Sequence, residues 1–320
     1  MCIADGCRLL IALALLGTTT VAASCACVDA GPVPSYEASI APNPPPKFIL
    51  FGDSRRKLAE EFWRSGYDEG RRAVIGALAA EAPAFIVNTG DLVPAGSDRG
   101  EWRSFFDENK PIFSRKIPYF PALGNHEYMW NRREGLANTF AAFPQLKGRM
   151  WYDLRFPPVL ILLLDSNFSE LEPSEIAAQN RWLEETLAAA EKDVGIRHVI
   201  LTCHHAPYTN AVSHGDSRDV QNHFLKRLTP KVHIVLTGHV HSYERFLIDG
   251  VQYVVSGGGG APLFQINVEH PRHKGDLCPL GDAYRPAHYC RFEIDGPRLR
   301  CEVRMLQNGA WKTADRFECR

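Results

Sequence analysis

Residues 233–241 read HIVLTGHVH. A short run of aliphatic and β-branched residues has the length and composition of a buried strand. It ends on a glycine, so His239 and His241 stand just past the strand's carboxyl end. The same pattern recurs upstream. Residues 47–53 (KFILFGD) end on Asp53, and residues 84–91 (AFIVNTGD) end on Asp91. Residues 117–127 (IPYFPALGNHE) run into Asn125, His126 and Glu127, and residues 198–205 (HVILTCHH) end on His204 and His205. Helical spacing lies between these bursts, over 68–80, 99–109, 174–190 and 219–228, with Ser174 expected as an N-cap. Strands that alternate with helices make βαβ units and an α/β fold. In such sheets ligands gather outside the carboxyl ends of the strands. One or two polar residues there serve as turn formers. A polar group at strand end after strand end calls for a shared chemical purpose.

The donor types say what that purpose is. Carboxylate and amide oxygens suit hard divalent cations, while zinc, iron and manganese also accept imidazole. Two aspartates, an asparagine and three histidines therefore suit a centre of two metal ions with mixed nitrogen and oxygen ligands. Two such ions about 3.5–4 Å apart can activate a bridging hydroxide and neutralise a phosphoryl transition state.

Composition sets the outer limits. The chain has 320 residues, 45% hydrophobic and 23% charged, with a formal net charge of −1. It is long enough for one large domain, and it has no overall basic field to draw nucleic acid or an anionic membrane. An anionic substrate must be attracted locally. Residues 1–24 hold an apolar run (LLIALALL, 9–16) followed by small residues, which reads as a signal for export to the periplasm or the exterior. Ala22-Ala23-Ser24-Cys25 is also compatible with a lipoprotein site, with Cys25 as a lipid anchor. Residues 25–46 are rich in proline and read as an extended tether. Residues 47–265 are expected to form the domain that carries these strand ends, and 266–320 a strand-rich extension of it. Residues 151–156 (WYDLRF) and 159–165 (VLILLLD) read as a strand pair joined by Pro157-Pro158, and the late strands are expected at 245–249, 251–259, 289–296 and 298–306. Cys278, Cys290, Cys301 and Cys319 suggest two disulfides stapling this end, in any of three connectivities; a zinc knuckle is disfavoured because no C-x-x-C pair is present. Cys203, alone in an apolar run, reads as a small buried hydrophobe.

The order GD53…GD91…GN125H126E127…H204H205…GH239VH241 resembles the calcineurin-like metallophosphoesterases, and GHVHSYER (238–245) is most similar to their purple acid phosphatase branch. The resemblance covers residues 47–260. It implies a four-layer α-β-β-α sandwich of two mixed sheets flanked by helices, with the late strands extending the second sheet or forming a cap. It implies that Asp91 bridges two metals (iron, manganese or zinc), with Asp53 and His241 completing the first position and Asn125, His204 and His239 the second. It further implies in-line hydrolysis of a small phosphoester or phosphoprotein by a hydroxide bridging the metals, with phosphomonoesters favoured and His126 as general acid. A loop histidine bonded to Glu127 is the plainer reading of His126. His205 and His214 are further candidates for phosphate contacts.

Two departures from the family pattern matter. Where many members carry D-x-H, this chain reads Asp53-Ser54-Arg55, and arginine has no lone pair to give a cation. Where purple acid phosphatases carry tyrosine, it has Pro94, so an iron–tyrosinate chromophore is not expected. Arg55 is then either a clamp for substrate phosphate or a charge that weakens the first metal position. In the second case the protein is a decayed module that binds phosphate or one metal. The absence of H-x-H-x-D-H, H-E-x-x-H and G-x-S-x-G argues against other hydrolase classes. The glycines at 257–260 are expected to let the backbone pass close beneath the site.

Overall fold

Strand formation follows the apolar bursts. The computed structural model describes residues 31–58, 61 and 68–319. The export segment, Cys25 and the start of the proline-rich stretch lie outside the described residues. One six-stranded sheet runs in the order β12 (Ala310–Cys319), β11 (Arg298–Gln307), β10 (His288–Asp295), β1 (Lys47–Phe51), β2 (Ile86–Asn88), β3 (Tyr119–Pro121). The other runs β4 (Tyr152–Phe156), β5 (Val159–Leu163), β6 (His198–Cys203), β7 (Val232–Thr237), β9 (Val251–Ser256), β8 (Tyr243–Ile248). Both are mixed. Strands β1, β2 and β3 pair in parallel while β1 meets β10 antiparallel. Strands β5, β6, β7 and β9 pair in parallel between antiparallel edges.

Side-chain alternation explains the layering. Ile161 and Leu163 of β5 join the core shared with β1–β3, whereas Leu160 and Leu162 join a second cluster with Leu183 and Leu187. Those two leucines belong to α6 (Pro173–Lys192). Because both faces of β5 are covered, all five of its residues are buried. Between the sheets Phe48 stacks on Phe85 at 5.1 Å and on Phe292 at 5.2 Å, and Phe156 from β4 meets Phe85 edge-on at 5.1 Å. Val74 and Leu78 of α1 (Asp68–Glu81), Trp102 and Phe105 of α2 (Arg99–Glu108) and Ile112 of the one-turn α3 (Lys110–Phe113) complete the first core, and a second one-turn helix, α4 (Asn125–Tyr128), follows β3. The expected sandwich of two mixed sheets flanked by helices is what forms.

Several details differ from expectation. Helix α6 starts at Pro173, not Ser174: proline suits a first helical turn whose N–H would be unpaired anyway. There the Glu172 N–H donates to the Glu175 carboxylate at 2.8 Å. The helix expected over 219–228 is α7 (Arg218–His223), capped by Ser217, followed by a 3₁₀ turn at Leu225–Arg227. Strands β8 and β9 extend the second sheet as expected, but β10–β12 extend the sheet of β1 instead. The four late cysteines are thiols, with Cys290, Cys301 and Cys319 buried and Cys278 half-buried. Cys290 and Cys301 are diagonal neighbours on β10 and β11, directly opposite Val303 and Phe292, and their thiols meet in a hydrogen bond within the apolar core. Cys203 is likewise a buried thiol. Residues 31–46 form neither helix nor strand, yet Val33, Tyr36 and Ile40 pack on the core, and the Tyr36 hydroxyl donates to the Ile117 carbonyl at 2.9 Å. That half of the proline-rich stretch is therefore anchored to the body instead of hanging as a free tether.

The glycine run does bring backbone against backbone. The Gly259 N–H donates to the Gly52 carbonyl at 2.8 Å, and a Cβ on Gly259 would lie 2.3 Å from that oxygen. Gly259→Ala should therefore force two main chains apart and cost about 1–3 kcal/mol. Urea unfolding reads this as a lower midpoint, and an unchanged midpoint would contradict the packing described.

Candidate metal centre

Each strand end turns sharply to present its side chain. Asp53, Asp91 and His239 hold φ of 60°, 57° and 66°, a left-handed conformation uncommon for residues other than glycine. Such strain persists only where surrounding contacts enforce it, and here they do. The His239 N–H donates to both Asp53 carboxylate oxygens, at 3.1 and 3.0 Å. Behind Asp91, the buried Glu127 carboxylate accepts N–H groups from Asp91 (2.9 Å), Leu92 (2.8 Å) and Gly124 (2.7 Å). Gly124 has to be glycine, because a Cβ there would lie 2.2 Å from Asp91 Oδ1.

All six residues expected as metal ligands converge. His204 Nε2 and His239 Nδ1 each face Asn125 Oδ1, at 3.0 and 3.1 Å, and lie 3.1 Å from each other. Asp91 Oδ1 lies 3.3 Å from the same His204 nitrogen. His204 Nδ1 already donates to the Thr89 carbonyl at 3.0 Å, so a neutral ring turns a lone pair into the cluster. Carboxylate, amide and imidazole acceptors thus face one another with few protons to share, and a cation resolves this. Sides of this length are close to the donor–donor edges of about 3.0–3.5 Å expected around an ion bound at about 2.1 Å. The residues present therefore fit a metal at the second position.

Asp53, Asp91 and His241, the residues expected at the first position, bring donor atoms within 4.8 Å of one another and could hold an ion. His241 Nδ1 donates to the Pro262 carbonyl at 2.6 Å, and its Nε2 lies 3.4 Å from Asp53 Oδ1. Electrostatics show how strongly the centre seeks positive charge. Burial raises the Asp91 carboxyl, but His126 and His204 outweigh it and hold it well below the usual range. Burial lowers His204, but Asp91 overrides it and lifts the ring to about 9. A proton there stands where a divalent ion would, so metal and proton compete. Burial and the Asp91 charge push Glu127 up to about 7, against the pull of its three N–H donors.

The remaining expected residues surround the ligands. His126 Nδ1 donates to the Pro94 carbonyl at 2.5 Å, and Nε2 lies 3.6 Å from Asp91 Oδ2. The anticipated His126–Glu127 bond is not formed, because Glu127 is engaged by the backbone. The half-buried His205 has Nδ1 2.9 Å from the Ser166 hydroxyl oxygen, which also accepts the His205 backbone N–H at 2.9 Å, and burial and His204 push the ring down to about 3. His214 stands at the rim, its ring 4.8 Å from that of His239. Phe264 stacks on both His214 (4.5 Å) and His241 (4.1 Å).

Arg55 is buried beside Asp91, its Nε 3.9 Å from Oδ2. Its Nη1 donates to Glu61 Oε2 at 2.8 Å and to the Arg56 carbonyl at 3.0 Å, and Nη2 donates to Glu61 Oε1 at 3.1 Å. Glu61 escaped the sequence reading because nothing in its local pattern ties it to Arg55. Glu127 was within reach, since it stands three residues after Gly124, the spacing of a capping box.

Comparison with known proteins bears on the family and the fold. Residues 46–243, more than half of the chain, match the family model described as calcineurin-like phosphoesterase. A curated relative, "Probable inactive purple acid phosphatase 1" of Arabidopsis thaliana, is 24% identical over 308 residues, covering 82% of this chain and 48% of that protein. Tartrate-resistant acid phosphatase type 5 of Mus musculus is 25% identical over 268 residues, covering 75% of this chain and 80% of that protein. The solved purple acid phosphatase PPD1 of yellow lupin (Lupinus luteus) superposes with a TM-score of 0.64 at 21% identity, over 85% of this chain and 53% of that one, a likeness of fold. The chain thus spans about half the length of the Arabidopsis and lupin proteins.

Removing one corner of the donor triangle tests the assignment. Asn125→Ala should weaken Mn²⁺ binding at least about tenfold in isothermal titration. Unchanged affinity would contradict the assignment of Asn125 as a ligand.

Proposed function

Because this chain belongs to the calcineurin-like phosphoesterase family, we propose that it is a metal-dependent hydrolase of phosphoric esters. The observation that carries this reading is the convergence of Asp91, Asn125, His204 and His239 on one point, with Asp53 and His241 alongside. Divalent ions held there would polarise phosphoryl oxygens and lower the pKa of water. Asp53, Asp91 and His241 would offer donors to one ion, and Asp91, Asn125, His204 and His239 to another.

The chain's own groups do the rest. Of the five N–H hydrogens of Arg55, Nη1 commits both of its own and Nη2 one to the partners named above, and Nε–H has no hydrogen-bond partner among the described residues. What is left, Nε–H and the second Nη2 hydrogen, lies along one edge of the planar group, the geometry that grips two oxygens of a phosphate. Glu61 holds the far end of the fork and fixes its orientation. With Nδ1–H spent on Pro94, His126 hands a proton from Nε2 to the departing alkoxide as the imidazolium, a form that burial disfavours and the neighbouring Asp91 carboxylate favours. An acid so placed contributes roughly 10²–10⁴ in rate. His205, a neutral ring whose Nδ1 pairs with the Ser166 hydroxyl, offers Nε2 to the substrate. Phosphomonoesters are favoured as substrates, a preference supported by the likeness to an acid phosphatase.

A second reading has a specific observation behind it: Arg55 occupies the place where a histidine would complete the first metal position, and one relative is named as inactive. A complete second position and an intact His126 weigh against decay. One variant separates the two. With Mn²⁺ or Zn²⁺ supplied, wild type should release phosphate from p-nitrophenyl phosphate and lose this activity in chelator. Arg55→Ala should lower kcat/KM by on the order of 10². A faster Arg55→Ala enzyme would favour the blocking reading, and no phosphate release from any ester with either metal would overturn the hydrolase.

A further inference from the structure

A groove of about 490 Å³ opens directly from the metal centre, sharing Asn125 and His205 with it. Its floor and rim include Trp130 and Phe168. Trp130 is 71% exposed and sits at φ 68°, a left-handed conformation that is a genuine outlier for so bulky a side chain. The surrounding chain keeps it there. The Ser97 hydroxyl donates to the Met129 carbonyl at 3.1 Å, and on the other side Asn131 caps α5 (Arg132–Ala142), accepting the Glu134 N–H at 3.1 Å. An indole this exposed buries little apolar area in the fold, and the backbone outlier sets it on the groove where a ligand's apolar surface can cover it. Phe168 is held in turn by His223, stacked at 4.7 Å.

Charge narrows the ligand. Glu170 and Asp219 lie on the groove, and its one cationic side chain among the described residues, Arg132, is engaged by both oxygens of Glu175 at 2.9 and 2.7 Å. The groove is therefore aromatic and acidic, the opposite of a cradle for a second phosphate. We propose that it receives the leaving group of the ester and selects planar, uncharged aromatic alcohols over anionic ones. This rests on the hydrolase reading above and adds the substrate class to it.

The test compares 2-naphthylmethyl phosphate with ethyl phosphate, whose alcohols leave with similar ease, so that a difference reports recognition. In the full chain with Mn²⁺, the ratio of kcat/KM for the aromatic over the ethyl ester should fall about tenfold in Trp130→Ala and be retained in Trp130→Phe. Isothermal titration of the same two esters should give the same contrast in Kd, with or without turnover. Glu170→Gln with Asp219→Asn should raise relative use of a nucleoside diphosphate. An unchanged aromatic-to-ethyl ratio in Trp130→Ala, in both kinetics and binding, would overturn the proposal. A binding contrast without hydrolysis by wild type would sink the hydrolase reading and leave the groove assignment standing.

Discussion

A single buried carboxylate organises this molecule. Asp91 is 1% exposed, and an isolated charge at that depth costs several kcal/mol unless it is met by opposite charge or hydrogen bonds. His204 lies 3.3 Å from one of its oxygens, and His126 and Arg55 lie 3.6 and 3.9 Å from the other. The His126 N–H donates to its Oδ1 at 3.1 Å. These groups come from three different strand-end loops, following β1, β3 and β6. Satisfying Asp91 therefore requires both sheets to present their carboxyl ends to one place, and the aromatic packing between the sheets makes that possible.

The cost of such crowding falls on the backbone. Gly124 leaves room for Asp91, Gly238 and Gly257 leave room for Asp53, and the two aspartates themselves accept left-handed geometry. Local strain is tolerated because Glu127 and the His239 N–H lock the turns from behind.

Much of this was legible in the sequence, for a definite reason. Buried strands of four to six apolar residues leave their ends as the only places for polar groups, so Asp53, Asp91, Asn125, His204, His239 and His241 announced themselves by position. Signals that depend on competition between neighbours were harder. Ser174 is a good cap by type, but Pro173 is a better first residue. Strand β12 reads AWKTADRFEC, and as an exposed edge it lacks the apolar run that marks the central strands. Glu61 and Trp130 take their meaning from partners brought near only by folding. Arg55 could be weighed from sequence as clamp or block, but the committed and open edges of its guanidinium needed coordinates.

The central claim is that the converging acceptors exist to hold cations. Diffraction at the manganese absorption edge from Mn²⁺-soaked crystals tests it most directly. An anomalous peak enclosed by Asp91, Asn125, His204 and His239, with a second bounded by Asp53, Asp91 and His241, is the predicted result. Manganese bound elsewhere, with no peak at either position, would contradict it.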